Sequence, residues 1–185
     1  MYTTQLEAAR QGCITHEMKI VAKQEGLDVE VLRELIALGQ VVIPCNKLHT
    51  SIAPQGIGKR LRTKINVNLG TSKDVTDYDS EIEKVQRAIA LGAEAIMDLS
   101  THGDTRIFRR KLIETSPVMI GTVPIYDSVI HHKKDLGHLT AQDFLDTIRL
   151  HAEDGVDFIT IHSGITRKTI DQIKHHKRKL NIVSR

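Results

Sequence analysis

The apolar residues of this chain change their spacing near residue 63. In residues 1–62 they recur every three or four positions over 15–25 and over 28–38, which predicts two amphipathic helices. Gly39 follows the second helix as a stop signal, and a short apolar run at 41–43 leads into a loop rich in Gly, Pro, Ser and His. We therefore predict a small helical region over residues 1–62.

From residue 63 onward, short apolar or β-branched runs alternate with longer amphipathic stretches. The runs, which predict strands, lie at 65–69, 95–99, 119–123, 158–161 and 182–183. The amphipathic stretches, which predict helices, lie at 80–91, 104–115, 140–153 and 167–179. A strand followed by a helix, repeated in this way, is typical of parallel βαβ units.

Both a doubly wound open sheet and a closed eight-stranded barrel fit this alternation. The dinucleotide-binding pattern GxGxxG, expected after a strand of many doubly wound folds, is missing. Polar residues stand at or just beyond successive strand ends: Asn68, Asp98, Tyr126 and His162. Barrel enzymes build their sites from such positions. We therefore predict an α/β fold, a (β/α)8 TIM-type barrel of which residues 63–185 form the first, incomplete part.

Composition adds few constraints to this interpretation. With 40% apolar and 26% charged residues among 185, the chain is long enough for one ordinary domain, and the lack of Trp makes its core aliphatic. The net charge of +3 arises in residues 167–185, which hold seven basic residues and one acid. No aromatic residues are interleaved with the basic run at 175–179, so we expect a solvated helix face and no nucleic-acid partner.

Two cysteines, Cys13 and Cys45, are far apart in the sequence and form no CxxC motif. Neither a zinc site nor a disulfide framework is indicated, so we interpret both as reduced thiols of a cytoplasmic protein. No signal peptide is visible, and no apolar run approaches the length that spans a membrane. We therefore expect a soluble protein without a membrane partner.

Each strand-end residue has a structural interpretation beside the functional one. The amide of Asn68 either faces solvent on an edge strand or hydrogen-bonds a ligand, and Met97 alone would be a core residue. Tyr126 is either a packing residue or a substrate contact. A single His162 would be structural, but its place in this series favours a site. The other histidines have no metal-ligand spacing, and Lys64 begins its strand, too early for a Schiff-base lysine.

Five phrases of the sequence, read together, carry a family resemblance. They are Lys64–Gly70, Met97–Thr101, Gly121–Tyr126, Thr160–Gly164 and Ile182–Arg185. In this order and spacing they resemble the phosphomethylpyrimidine synthase family of thiamine biosynthesis, and the likeness covers essentially the whole chain.

The resemblance implies a barrel whose strand ends bind 5-aminoimidazole ribonucleotide. The family rearranges this substrate to hydroxymethylpyrimidine phosphate through a 5′-deoxyadenosyl radical, which a [4Fe-4S] cluster generates from S-adenosylmethionine. Carried over by position, the implied substrate contacts are Asn68, Met97, Tyr126, His162, Ser184 and Arg185. No catalytic residue and no metal ligand is assigned within this chain.

Ser184 and Arg185 stand where the family continues with glycines, whose backbone N–H groups suit a phosphate. The resemblance also implies zinc-binding histidines and a three-cysteine cluster motif further along. Cys13 and Cys45 match none of those cysteines. We therefore expect this chain to lack the ligands of the cluster, S-adenosylmethionine and zinc, and to be inactive alone; a homodimer is implied for the full-length protein.

Two alternatives remain open. The related 5-hydroxybenzimidazole synthase of anaerobic cobalamin biosynthesis shares the substrate and the barrel. A non-catalytic, truncated remnant belongs to a different class of function.

Overall fold

The computed structural model describes residues 2–175. The amino-terminal part contains three helices and a two-stranded antiparallel sheet. They are α1 (Gln5–Arg10), α2 (His16–Glu25), α3 (Val29–Ala37), β1 (Val41–Val42) and β2 (Ile57–Gly58). The side chains of Thr4, Thr15 and Asp28 accept hydrogen bonds from the first turns of the three helices, which fixes where each helix begins.

A separate aliphatic core holds this amino-terminal part together. Met18 and Val21 of α2 and Leu32 and Ile36 of α3 are buried against each other. They recur at helical spacing on one side of each helix, as the sequence predicts.

The second part is built on a parallel sheet. Its strands pair in chain order: β3 (Asn66–Leu69), β4 (Ala95–Asp98), β5 (Met119–Thr122) and β6 (Phe158–Ile159). The helices of this part are α4 (Tyr78–Ala90), α5 (Thr105–Thr115), α6 (Pro124–His132), α7 (Ala141–Glu153) and α8 (Arg167–His175). A short 3-10 turn, Leu136–His138, separates α6 from α7.

The two faces of the parallel sheet differ in character. On one face Val67, Ile96 and Ile120 pack with Phe108 and Leu112 of α5 in the second aliphatic core. We call the other face the open face. Its residues occupy the alternate positions along the same strands, and they include exposed Asn66 and Asn68 and half-buried Met97 and Phe158.

Helices on one face and side chains without helical cover on the other are what a barrel wall requires. A doubly wound sheet carries helices on both faces. The α/β class and the parallel sheet are confirmed. Closure into a barrel stays a prediction, as does the domain division between residues 62 and 63.

The amino-terminal part is attached to the sheet at the ends where the strands begin. Arg62 pairs with Glu94, whose other carboxylate oxygen accepts a hydrogen bond from the backbone N–H of Ile65 at 2.8 Å. Lys64 and Glu25 form a buried ion pair at 2.5 Å. This attachment leaves the opposite ends of the strands accessible.

The predicted helices and strands of residues 2–175 are all present, with ends that shift by at most two residues. Four elements were not expected from the pattern: α1, β2, α6 and the 3-10 turn at Leu136–His138. The strand predicted at 182–183 and the last residues of the helix predicted at 167–179 lie outside the described residues. Within 2–175, no helix has the length and apolarity needed to cross a membrane.

Candidate functional site

A cavity of about 450 Å³ lies where β3 and β4 end. Its lining includes Asn68 of β3, the loop after it, the buried side of α4 and Tyr126 of α6. The polar residues of this lining are Asn68, Thr71, Ser72, Glu81, Lys84, Thr101 and Tyr126. The cavity therefore occupies the carboxyl ends of the strands, the position at which parallel α/β folds bind ligands.

Asn68 and Met97 are neighbours on the open face. The strand register pairs Asn68 with Met97, Met97 with Gly121, and Gly121 with Phe158. The Oδ1 atom of Asn68 accepts a hydrogen bond from Nδ2 of Asn66 at 2.8 Å, which orients the amide.

Met97 is not a core residue in the described part of the chain. Its side chain lies on the open face, half-buried, and its sulfur accepts a hydrogen bond from the Thr160 hydroxyl at 3.9 Å. Gly121, next to it in the register, has no side chain, and a Cβ atom there would collide with the ring of Phe158. The glycine leaves room for that ring against the strand.

Tyr126 and His162 form a second pair of neighbouring side chains. Tyr126 belongs to the first turn of α6, and its ring centroid lies 5.8 Å from that of His162, with the two ring planes tilted by 41°. His162 follows β6 in an exposed segment. The structure thus places Asn68 beside Met97, and Tyr126 both at the cavity and beside His162.

Ser184 and Arg185 lie outside the described residues, so their expected role as phosphate contacts stays a prediction.

Asp98, grouped with these residues from its place at a strand end, faces the opposite way. It follows Met97 by one residue and so projects from the helix-covered face, where it is buried. Its carboxylate accepts hydrogen bonds from the backbone N–H and the hydroxyl of Ser100, at 2.9 and 2.5 Å. Burial outweighs these bonds and raises the pKa of Asp98 to about 6.

Sequence reasoning missed Glu81 and Lys84. Glu81 lies in the first turn of α4 with its carboxylate buried, and it accepts hydrogen bonds from the backbone N–H of Gly70 at 3.0 Å and from Lys84 Nζ at 2.5 Å. A glutamate followed three residues later by a lysine is equally typical of an exposed ion pair on a helix, so the sequence does not indicate that these two residues line a cavity. Their effect is to fix the loop that leaves β3.

Gly70 is required at the end of β3. Its φ angle is +141°, and a Cβ atom would lie 2.5 Å from the backbone N of Ser100 and 2.8 Å from the carbonyl carbon of Leu99. We expect Gly70→Ala to lower the free energy of unfolding by about 1 to 3 kcal/mol, because it adds a backbone collision to the conformational strain. The shift in the midpoint of thermal unfolding measures this loss.

Gly92→Ala is the matched control for Gly70→Ala. Gly92 also has a positive φ of +94°, but a Cβ atom there would meet nothing within 4 Å. It should therefore show only the conformational part of the loss. Equal shifts for the two variants would contradict a steric role for Gly70.

The cysteines of this chain do not fit an iron–sulfur cluster. A [4Fe-4S] cluster is held by several thiolates, whereas this sequence holds two cysteines. Cys13 is exposed, and burial, assisted by the charge of Asp157, raises the pKa of the Cys45 thiol to about 11. In the part that the structure describes, no three His, Cys, Asp or Glu side chains are grouped as a metal site would require.

Comparison with known proteins gives a consistent result. The model of the Radical SAM ThiC family matches residues 4–185. A phosphomethylpyrimidine synthase of Clostridioides difficile (strain 630) is 59% identical over 184 residues, which are 100% of this chain and 42% of that protein. The phosphomethylpyrimidine synthases of Alkaliphilus oremlandii (57%) and Clostridium kluyveri (55%) match over the same shares.

This chain therefore spans about two fifths of the length of the curated relatives that it matches. The resemblance read from the five strand-end phrases is confirmed, because identity above one half extends over the entire chain. From the family match and these identities, we conclude that the chain belongs to the Radical SAM ThiC family.

Proposed function

We propose that the full-length protein carrying this chain is a phosphomethylpyrimidine synthase. It would convert 5-aminoimidazole ribonucleotide to 4-amino-5-hydroxymethyl-2-methylpyrimidine phosphate by radical S-adenosylmethionine chemistry. The observation that supports this proposal is the strand-end cavity lined by Asn68 and Tyr126, in a chain whose relatives have that name. Met97 lies beside Asn68 in the strand register, and His162 lies beside the Tyr126 ring.

The four residues suit a small aromatic amine. The amide of Asn68 can donate to a ring nitrogen or accept from an amino group, while the thioether of Met97 offers a polarisable apolar surface to the ring. The Tyr126 hydroxyl and the His162 imidazole can hydrogen-bond the sugar or the base. We assign Ser184 and Arg185 to the phosphate group.

S-adenosylmethionine and a [4Fe-4S] cluster would supply the radical when bound. The donor set of this chain does not fit the cluster, so we assign its ligands, and those of zinc, to the part of the relatives' length that this chain does not span. In this proposal the chain contributes the substrate pocket, and the full-length protein is a homodimer.

Asn68→Ala in the full-length protein tests the pocket. We expect the Kd for 5-aminoimidazole ribonucleotide to rise by about 10- to 100-fold, since a lost hydrogen bond to a buried polar group costs about 1 to 3 kcal/mol. Isothermal titration calorimetry measures this Kd. Gln142→Ala removes an exposed amide from α7 and should leave the Kd within about twofold. An unchanged Kd in Asn68→Ala would contradict the assignment of the pocket.

The identity of the product tests the reaction. The wild-type full-length protein, supplied with 5-aminoimidazole ribonucleotide, S-adenosylmethionine and a reductant, should release the pyrimidine phosphate, identified by mass spectrometry. A benzimidazole product would contradict the proposal and favour 5-hydroxybenzimidazole synthase. Absence of both S-adenosylmethionine cleavage and substrate binding would favour a non-catalytic remnant.

A further inference from the structure

Three buried side chains at the start of α6 and around it form a chain of hydrogen bonds. The hydroxyl of Thr122, the last residue of β5, lies 2.8 Å from Nδ1 of His151 on α7. Nε2 of the same imidazole lies 2.8 Å from Oδ2 of Asp127 on α6. All three residues are at most 5% exposed. The imidazole thus connects the end of one strand to the first turn of the helix that follows it.

The chemistry of Asp127 fixes the direction of these bonds. Burial alone would raise the pKa of this carboxyl, but bonds from His151 and Thr105 and the charge of Arg109 hold it well below its usual range. An ionised carboxylate only accepts, so Nε2 of His151 carries the proton. Burial lowers the pKa of His151, which keeps the imidazole neutral, so Nδ1 accepts from the Thr122 hydroxyl.

Asp127 is also held from α5. Its Oδ1 accepts a hydrogen bond from the Thr105 hydroxyl, and Nη1 of buried Arg109 lies 3.1 Å from its Oδ2. Contacts from α5 and α7 therefore converge on one carboxylate in the first turn of α6, and β5 is connected to it through the His151 imidazole.

The helix needs this fixation. Val123 precedes α6 in the N-cap position and has no side-chain acceptor, and Pro124 occupies the first turn. Tyr126 is the residue directly before Asp127, so the angle of that turn sets where the phenol lies relative to the cavity and to the His162 ring.

We propose that Asp127 and His151 are positioning residues that hold Tyr126 in place at the cavity. Neither side chain reaches the open face; they act through the first turn of α6. The part that concerns substrate rests on the proposed function, in which Tyr126 contacts 5-aminoimidazole ribonucleotide. The effect of Asp127 and His151 on the position of Tyr126 is independent of the proposed function.

Two substitutions of His151 in the full-length protein separate the two bonds of the imidazole. A Gln side chain places its amide near the position of Nε2 and keeps a donor to Asp127, whereas an Asn side chain reaches only the position of Nδ1 and loses Asp127. We expect His151→Asn to raise the KM for 5-aminoimidazole ribonucleotide about tenfold with a much smaller change in kcat, and His151→Gln to restore most of the loss.

A readout independent of activity accompanies the kinetics. In protein labelled with 3-fluorotyrosine, the ¹⁹F signal of residue 126 is assigned by its loss in Tyr126→Phe. It should shift in His151→Asn and in Asp127→Asn and return toward the wild-type position in His151→Gln. Val85→Ala is the control for loss of stability alone, since Val85 is a buried core residue of α4 outside this network.

The outcomes are distinguishable. A ¹⁹F signal that stays in place in either His151→Asn or Asp127→Asn, or that shifts equally in Val85→Ala, overturns the positioning role. A shifted signal in a protein that does not convert 5-aminoimidazole ribonucleotide supports positioning while the proposed function fails. An insoluble His151→Asn leaves Asp127→Asn and His151→Gln to decide, because an unshifted Asp127→Asn signal alone is sufficient to overturn the role.

Discussion

Asp154→Asn is expected to lower the free energy of unfolding by about 3 to 5 kcal/mol, the loss seen when a buried ion pair is left without one partner. The Asp154 side chain is fully buried after the end of α7 and accepts from three arginines of α5. Nη2 of Arg109 lies 2.8 Å away, Nε of Arg110 2.8 Å and Nη2 of Arg106 3.0 Å. A typical domain is stable by about 5 to 15 kcal/mol, so this loss is a large fraction of the total.

Most of the expected loss in the free energy of unfolding comes from Arg109, which would lose a buried ion-pair partner. The side chains of Arg106 and Arg110 are 43% and 53% exposed, so water solvates them when the carboxylate is gone. Arg109 is 1% exposed and would keep the ion pair with Asp127, the one other carboxylate that pairs with it among residues 2–175. An asparagine of the same shape carries no charge, so the cost of burying the guanidinium is then offset by one carboxylate where it had two.

The same carboxylate gives the stability an acid dependence. Burial alone would raise the pKa of Asp154, but the hydrogen bonds and charges of the arginines outweigh it and hold the pKa below its usual value. A depressed pKa contributes stability that is present above the unfolded value of about 4 and is lost as the pH falls through the folded value. Wild-type stability should therefore fall more steeply below about pH 4 than that of Asp154→Asn.

Urea unfolding followed by circular dichroism measures both effects. Asp146→Asn is the control, because Asp146 lies on α7 and pairs with Arg149 at 3.0 Å, but both side chains are largely exposed. Such a pair contributes about 0 to 1 kcal/mol. The ion network would have no special role if the two variants lost equal stability.

The sequence predicts the aliphatic part of this architecture well and its charged part poorly. Phe108 and Ile113 of the amphipathic stretch at 104–115 are buried, as the pattern indicates, but Ile107 is 63% exposed and Arg109 is buried. The partner of Arg109 lies 45 residues away, so no local spacing identifies the pair. Hydrophobic periodicity records which face of a helix is inside, and it cannot record a charge that is neutralised by a distant residue.

Strand parity explains what could be predicted of the site. Asn68 and Met97 lie on the same face because the parallel register pairs them, whereas Asp98, one position further along, lies on the other. A count of polar residues at strand ends cannot make this distinction without the register. Helix α6 was missed for a local reason, because Pro124 follows a strand directly and no capping side chain precedes it.

Asp157→Asn is expected to lower the free energy of unfolding by about 3 kcal/mol, because it weakens the attachment of the amino-terminal part to the parallel sheet. The buried Asp157 side chain accepts from Nδ1 of His49 at 2.6 Å and from the backbone N–H groups of Ile120 and Asn46, both at 2.8 Å. The carbonyl oxygen of Ser116 lies 2.8 Å from the other His49 nitrogen. An asparagine replaces one carboxylate oxygen by an NH2 group, which cannot accept, so at least one of these three donors loses its hydrogen bond.

His49 adds a pH dependence that identifies this contact. Burial alone lowers its pKa, but the bond and the charge of Asp157 outweigh burial, so the pKa of His49 is raised above its usual value. A raised pKa contributes stability that is fully present below the unfolded value of about 6.5 and is lost as the pH rises through the folded value. His151, whose pKa is lowered, affects stability below about pH 6.5, so the two windows do not overlap.

The measurement is the midpoint of urea unfolding at several pH values from about 6.5 upward, because the pKa of His49 is raised above its unfolded value of about 6.5. Wild-type stability should decline across this range, and both Asp157→Asn and His49→Gln should flatten the decline. Asp135→Asn is the control, since Asp135 and His138 form an exposed pair at 3.9 Å with side chains 94% and 80% exposed. If the decline in stability persisted unchanged in His49→Gln, another titrating group would have to cause it. The buried His49–Asp157 pair would then make no measurable pH-dependent contribution to the stability of the contact between the amino-terminal part and the parallel sheet.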